Sequence, residues 1–438
     1  MKRLIADLVL TVVICAALLL LFQLFAAKTG FFIPLENRTA YKLIQSFIIT
    51  SCILIVGYKR FWSRATFVNF FKVVRFFGFY LFIFFIVYHS VSIHKNILAY
   101  YRYFNSTDFI SWKGKMYERD SLLGYKMRPD NLSSLVYNLK QAIDVKTDQH
   151  GFRIAHEGEQ LSNADNPIEL LFLGCSFTFG SACKAEDTFP YLVAQKSGMN
   201  YANAGVGGYG LAQMLIQARQ FIPKFKPKYV IVQRSPWLIG RSVTEFAPSR
   251  GGYLLPTPFF VEEKKQFRVE SPVYQSTINK LFPEDDRNAY KGKLLRYYFM
   301  KGLAYFGEQQ LEIIKTRVNN ILGYKKRPTD NVQEAELFAY AEIMKLAKKH
   351  NAKIILVHLN NGPITYRKNL SITGYLYSIA NADSALQQIT GSTSEQTYTK
   401  AFGHWAIKGK DSVFVDGHPN PLAHQLIATS ILMHLSQK

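Results

Sequence analysis

From residue 168 onward, short unbroken apolar runs alternate with longer amphipathic stretches, and few folds accept that order. "IELLFLG", "KYVIVQRS" and "KIILVHL" are too brief for helices and lack polar alternation, the pattern of strands buried on both faces. "NYANAG" reads as a shorter strand of the same kind. Between the strands, "EDTFPYLVAQKSG" starts on Asp and Thr and stops on Gly, while "LAQMLIQARQFIPKF" and "NVQEAELFAYAEIMKLAKKHNA" repeat apolar residues at helical spacing. "PLAHQLIATSILMHL" is a closing helix. This order predicts an α/β domain over residues 167–438, a parallel sheet covered by helices on both faces. Residues 249–327, rich in Tyr, Phe, Lys and Glu, interrupt the alternation and read as a helical insertion or lid.

The first 93 residues differ in kind. Residues 4–27 form a mostly apolar stretch in which Asp7 is the one charged residue, and about 20 apolar residues cross a bilayer core. A signal peptide would have a shorter apolar region and a small-residue cleavage site, and "FAAKTG" is a poor one. The reading is therefore an uncleaved transmembrane helix. Residues 43–58 and the aromatic-rich 77–93 give a second and a third. Lys2 and Arg3 precede the first span, and Lys59, Arg60, Arg64, Lys72 and Arg75 separate the second from the third. The loop between the first two holds fewer, Lys28, Arg38 and Lys42. Lysine and arginine concentrate on the cytoplasmic side, so the expected topology is a multi-pass inner (plasma) membrane anchor with a cytoplasmic N-terminus. The large domain then lies in the periplasm or outside the cell. Residues 94–166 carry the turn signals "RPDN" and "DQHG" and read as an irregular lead-in packed on the domain.

Composition narrows the partners. The formal net charge is +22 at a pI near 9.6, which suits an anionic membrane surface or polymer. There is no zinc-finger spacing, no RNA-recognition signature and no compact Lys/Arg tract, so nucleic acid is not the expected partner. Four cysteines are too few for a disulfide scaffold. Cys15 and Cys52 fall in apolar runs; Cys175 and Cys183 either pair in an oxidising compartment or stand as separate thiols.

The chemistry-bearing residues sit at two distant points. "LFLGCSFTFG" ends a strand on Gly174 and places Ser176 at the start of a helix, beyond the carboxyl end of the strand, where ligands meet such sheets. Serine is a weak nucleophile at neutral pH without a base. "SVFVDGHPNPLAH" supplies Asp416 two residues before His418, so that a carboxylate orients one imidazole nitrogen and the other faces a partner. Alone, Ser176 also fits a helix cap and Asp416 a turn; together they read as nucleophile, base and orienting acid. His404 reads as a cleft or loop residue, His424 as helix packing, and Asn360 and Asn361 as substrate-contacting or turn residues. His404, His418 and His424 have no metal-ligand spacing, and neither metal nor cofactor is expected.

These segments resemble the blocks of the SGNH, or GDSL-type, esterase superfamily. "GCSFTFG" is similar to its first block with Cys175 in place of the usual Asp, "NAGVGGYG" to its second, and "DGHPNPLAH" to its last. The resemblance implies a flavodoxin-like three-layer α/β/α sandwich, with Ser176 as nucleophile and Asp416 and His418 completing a triad. It also implies an oxyanion held by the Ser176 N–H and by a second-block glycine, Gly208 by alignment, with Gly205 and Gly207 as near alternatives. The family's third-block asparagine is missing from "QRSPWLIGRS"; Gln233, Arg234 or Ser235 is the candidate replacement donor, and Trp237 a pocket wall.

The expectation is an extracytoplasmic serine esterase or O-acyltransferase working through an acyl-enzyme on acetyl esters of an envelope glycan. The membrane lipid, the acylated glycan and a membrane acyltransferase handing over acyl groups are the candidate partners. A catalytically degenerate glycan-binding component and a lipid-directed esterase are the alternatives.

Overall fold

The computed structural model describes residues 112–138, 141–156, 167–248, 254–263, 266–272, 331–359, 374–391, 394–408 and 411–435, all within one compact unit. The expected membrane spans at residues 4–27, 43–58 and 77–93 lie outside the described residues. Among the described residues no helix is long and apolar enough to cross a membrane.

The described chain opens with strands β1 (Trp112–Lys113), β2 (Tyr117–Asp120), β3 (Gly124–Met127), β4 (Asn131–Asn138), β5 (Gln141–Thr147) and β6 (Arg153–Ile154). β1, β4, β5 and β6 form an antiparallel sheet in that order, and β2 pairs with β3 as a hairpin. This corrects the expected irregular lead-in. The pattern that should have announced the strands is inverted in β4, where Leu132 is 58% exposed and its neighbour Ser133 only 4%.

Then come β7 (Leu170–Leu173), the single helical turn α1 (Ser176–Phe179), α2 (Phe189–Ser197), β8 (Tyr201–Asn203), α3 (Leu211–Phe225), β9 (Tyr229–Arg234) and α4 (Pro236–Gly240). β10 (Phe246–Pro248) pairs with β11 (Leu254–Pro256), and β12 (Phe259–Glu263) with β13 (Gln266–Glu270), both antiparallel. These strands correct the helical reading of residues 249–327 as far as they extend; residues 249–253, 264–265 and 273–327 lie outside the described residues. Phe260 and Phe267 both pack on Phe338 of the helix at Val332–Lys349, at 6.1 and 5.8 Å between centroids, so the segment is held by apolar contact on one side. The chain continues through α5 (Val332–Lys349), β14 (Lys353–His358), β15 (Ser378–Asn381), α6 (Ala382–Thr390), α7 (Glu395–Phe402), the hairpin β16 (His404–Lys408) and β17 (Asp411–Asp416), and α8 (Pro421–Leu435).

The main sheet runs β15-β14-β9-β7-β8 with every neighbouring pair parallel. Counted along the chain this is the order 2-1-3-4-5 of flavodoxin-like α/β folds. Right-handed crossovers then put α2 on one face and α3 with α5 on the other. The helix contacts agree: α3 packs on α5, while α8 packs on α2 and α6. Every residue of β7 and β9 is buried, and each fully buried Leu, Val, Ile or Phe there contributes about 1.5–3 kcal/mol. β17 is not part of this sheet. It pairs with β16 and delivers Asp416 and His418 from outside.

Candidate active site

Three loops leave the carboxyl ends of adjacent parallel strands: the Ser176 turn after β7, the Gly205–Gly208 segment after β8, and the Trp237 helix after β9. Gly174 makes the first one possible by having no side chain. A Cβ there would stand 2.0 Å from Thr178 Oγ1 and 2.6 Å from Gln233 Oε1. Those two atoms are hydrogen-bonded to each other, Thr178 donating at 2.8 Å, and the same Gln233 oxygen accepts the Cys175 N–H at 3.0 Å. The Gln233 amide nitrogen donates to Ser235 Oγ at 2.7 Å and to Cys175 Sγ at 3.3 Å, and Ser235 Oγ donates to Leu359 O at 2.5 Å. Gln233 and Ser235 are thus fully buried beneath the turn rather than lining a pocket.

Arg234 is also turned inward. Its guanidinium bonds Glu336 at 3.3 Å and donates to His358 Nε2 at 3.2 Å. Burial, and then the guanidinium, push the His358 pKa down to about 4, so the ring is neutral and accepts. Trp237 alone of the four third-block candidates is partly exposed beside the serine. Its ring packs edge-on against Phe177 at 5.0 Å, and its Nε1–H donates to Cys175 Sγ at 3.5 Å.

Ser176 is 8% exposed. Its hydroxyl rests against Cys175 Sγ at 3.9 Å, and among the described residues it makes no hydrogen bond to an imidazole. The Ser176 N–H has no partner among them either, as expected for the first residue of a helical turn. The turn is only four residues long, so local amides rather than a helix dipole are what it offers.

In the second loop, Gly205 N–H is committed to Asn203 Oδ1 at 3.1 Å, which removes it as a free donor. Val206 to Tyr209 form a turn closed by Tyr209 N–H to Val206 O at 3.2 Å, with Gly208 at φ +83°. That is the third position of a type II turn, where glycine is favoured. The Gly208 N–H is unpaired among the described residues. The β2–β3 hairpin holds this turn from behind: Tyr125 Oη donates to Gly207 O at 2.8 Å, and Tyr209 Oη donates to Tyr125 O at 2.6 Å.

Asp416 Oδ1 accepts both the backbone N–H of His418, at 2.8 Å, and a short hydrogen bond from His418 Nδ1. Two-residue spacing suffices because one oxygen serves both. The tautomer this fixes leaves Nε2 as the free acceptor. The His418 ring packs on Phe177 at 5.4 Å, so it reaches the residue next to Ser176 from more than 200 positions away. Pro419 O accepts from His404 Nε2 at 3.1 Å and from the Cys183 thiol at 3.4 Å. Burial keeps the Cys183 pKa up at about 12 and the His404 pKa below its usual value, so both stay neutral donors. Asn420 ties the loop to Ala401 O and Gly403 O at 3.0 and 3.2 Å and accepts the Ala423 N–H at 3.0 Å at the start of α8. His404 therefore holds the loop, and His424 serves packing: it is fully buried and accepts the Phe189 N–H at 3.1 Å. Asn360 and Asn361 lie outside the described residues. Cys175 and Cys183 are free buried thiols.

Sequence reasoning missed Arg153. It enters from β6, is 2% exposed, and donates to Phe179 O at 2.8 Å, Gly180 O at 2.7 Å and Cys183 O at 2.7 Å. Its guanidinium lies 4.7 Å from the Phe179 ring centroid. It thus satisfies the carbonyls that end the Ser176 turn. A lone Arg in "GFRIA" gives no such signal.

No family model and no curated protein matches this chain. Among solved structures it is similar to TesA, at 12% identity over 61% of this chain and 97% of that one, with a TM-score of 0.26. It is also similar to a catalytic mutant of Axe2, an acetylxylan esterase from Geobacillus stearothermophilus, at 12% identity over 62% and 96% with a TM-score of 0.29. A GDSL-like lipase from Bacteroides thetaiotaomicron gives 12%, 61%, 87% and 0.25. Scores this low decide nothing about the chemistry, and the fold rests on the strand order and helix layers.

Proposed function

We propose that the protein is a serine esterase or O-acyltransferase that works through an acyl-enzyme. The observation that carries this is the meeting of two distant segments on Phe177: the Ser176 turn and the Asp416-oriented His418. On binding an ester, the Ser176 hydroxyl leaves its weak sulfur acceptor for His418 Nε2 and passes its proton there as Oγ attacks the carbonyl carbon. The unpaired N–H groups of Ser176 and Gly208 receive the oxyanion. Collapse of the tetrahedral species breaks the ester C–O bond, and His418 returns the proton to the departing alcohol. Water or a sugar hydroxyl then gives a proton to His418 and attacks the acyl carbon; the bond from that carbon to Ser176 Oγ breaks, and His418 returns the proton to Oγ.

The finer reading is a membrane-anchored enzyme whose large domain lies outside the cytoplasm and acts on acetyl esters of an envelope glycan. Its support is the three apolar N-terminal stretches, the lysine and arginine distribution around them, and the net charge of +22, which suits an anionic polymer. A second reading, glycan binding without turnover, is favoured by the Ser176 hydroxyl resting on Cys175.

The test is incubation of the full-length protein with an activated acetyl ester, with and without oligosaccharide acceptors, beside labelling by a serine-reactive phosphonate. Turnover and labelling that both disappear in Ser176→Ala are expected. Absence of labelling at Ser176 in the unaltered protein would favour the binding reading. Acetylated oligosaccharide as product would mark transfer over hydrolysis.

A further inference from the structure

An oxyanion in a tight site needs more than one donor, and the structure limits which groups remain. Of the polar side chains at the end of β9 and just past it, Gln233 and Ser235 are buried and spent on each other and on the turn, and Arg234 is engaged with Glu336 and His358. Trp237 is different. Its indole N–H ends on the Cys175 sulfur at 3.5 Å, the same sulfur on which the Ser176 hydroxyl rests at 3.9 Å. Thiol sulfur is a poor acceptor, so a developing oxyanion competes for that N–H at small cost. The donor is also held rigidly: Trp237 is in the first turn of α4, and its ring lies against Phe177, which in turn carries the His418 ring.

We propose that the Trp237 indole N–H is an oxyanion donor of this site, alongside the backbone N–H groups of Ser176 and Gly208. This rests on the serine acyl-enzyme reading. It assigns Trp237 a catalytic contact with the reacting oxygen, where a pocket wall would make only apolar contacts.

The test compares the full-length protein with Trp237→Phe, which keeps an aromatic ring against Phe177 but has no N–H. A second variant carries benzothienylalanine at 237, which preserves the bicyclic shape with sulfur in place of N–H. Both should lower kcat for an activated acetyl ester by about 100-fold, the usual effect of removing one oxyanion donor. KM should stay within about twofold, because the donor acts on charge present only in the transition state. The rate of phosphonate labelling at Ser176 should fall in parallel.

Activity of the benzothienylalanine variant within about twofold of the unaltered protein would overturn the proposal, whatever Trp237→Phe does, since shape alone would then account for the residue. Ser176→Ala separates the two levels. If it is inactive while both 237 variants are fully active, only the indole assignment fails; if it turns over ester normally, the acyl-enzyme reading falls with it.

Discussion

A single glutamine oxygen gathers two donors from the Ser176 turn, the Cys175 N–H before the serine and the Thr178 hydroxyl after it. Gln233 therefore sets the shape of the turn without facing substrate. Gln233→Ala leaves both donors buried without an acceptor, at about 1–3 kcal/mol each. It should lower the thermal midpoint and, by loosening the turn, reduce kcat more than it raises KM. Thr178→Ser keeps its hydroxyl and should stay close to the unaltered protein. Thermal melts and ester kinetics on both variants check this, and equal damage from the two would argue against a hydrogen-bond role. The sequence showed Gln233 as a polar residue closing a strand. It did not show what the amide was for, because its partners lie 55 and 58 positions earlier. Gly174 was easier to read, since a strand that stops on glycine before a serine already signals crowding, and Thr178 and Gln233 now account for it.

Among the elements, the parallel core was legible because strands buried on both faces write themselves as unbroken apolar runs. The limits of α3 match a quoted stretch that repeats apolar residues at helical spacing, and those of α8 match the quoted apolar run between a proline and the end of the chain. β15, an edge strand reading SIAN, has too little apolar content to stand out. The antiparallel strands of residues 112–154 were missed because their burial does not follow hydrophobicity throughout: Ser133 and Arg153 are inside while Leu132 is out. That buried Arg153 makes the lead-in part of the site. Its three carbonyl bonds to residues 179, 180 and 183 join β6 to the end of α1. Arg153→Met should cut kcat/KM by about tenfold or more, since small misplacements of a reacting group are costly. Arg153→Lys, with a single ammonium in place of the fork, should recover only part of the loss. Hydrogen exchange at residues 179–183 gives the independent measure. Faster exchange there in Arg153→Met, with the β14 amides unchanged, is the expected pattern; unchanged exchange together with full activity would show that the lead-in merely sits beside the domain.

At the scale of the whole molecule, several histidines are kept uncharged by burial, and this couples the fold to pH. The His424 pKa is pushed down to about 3 by burial first, with Arg153, His404 and His418 adding to the effect. His358 is lowered to about 4, and His404 is lowered as well. In the unfolded chain these rings take up protons near their ordinary value of 6.5. Below that pH the unfolded state binds more protons than the folded one, so stability present above 6.5 is lost as pH falls toward the folded values. For His424 the slope is about 1.4 kcal/mol per pH unit in that window. The loss has a definite location: His424 Nδ1 accepts the Phe189 N–H at the first residue of α2, and a protonated ring cannot accept it. Acid should therefore loosen the packing of α2 on α8, the helix that follows the His418 loop. His424→Asn replaces the ring with a side chain that does not titrate and still carries an acceptor oxygen. Its thermal midpoint should be lower at pH 7.5, because a buried ring's packing is lost, yet decline less between pH 6.5 and 4.5 than that of the unaltered protein. Melts across that range decide the matter: converging curves place the acid sensitivity at the α2–α8 contact, and parallel curves assign it elsewhere.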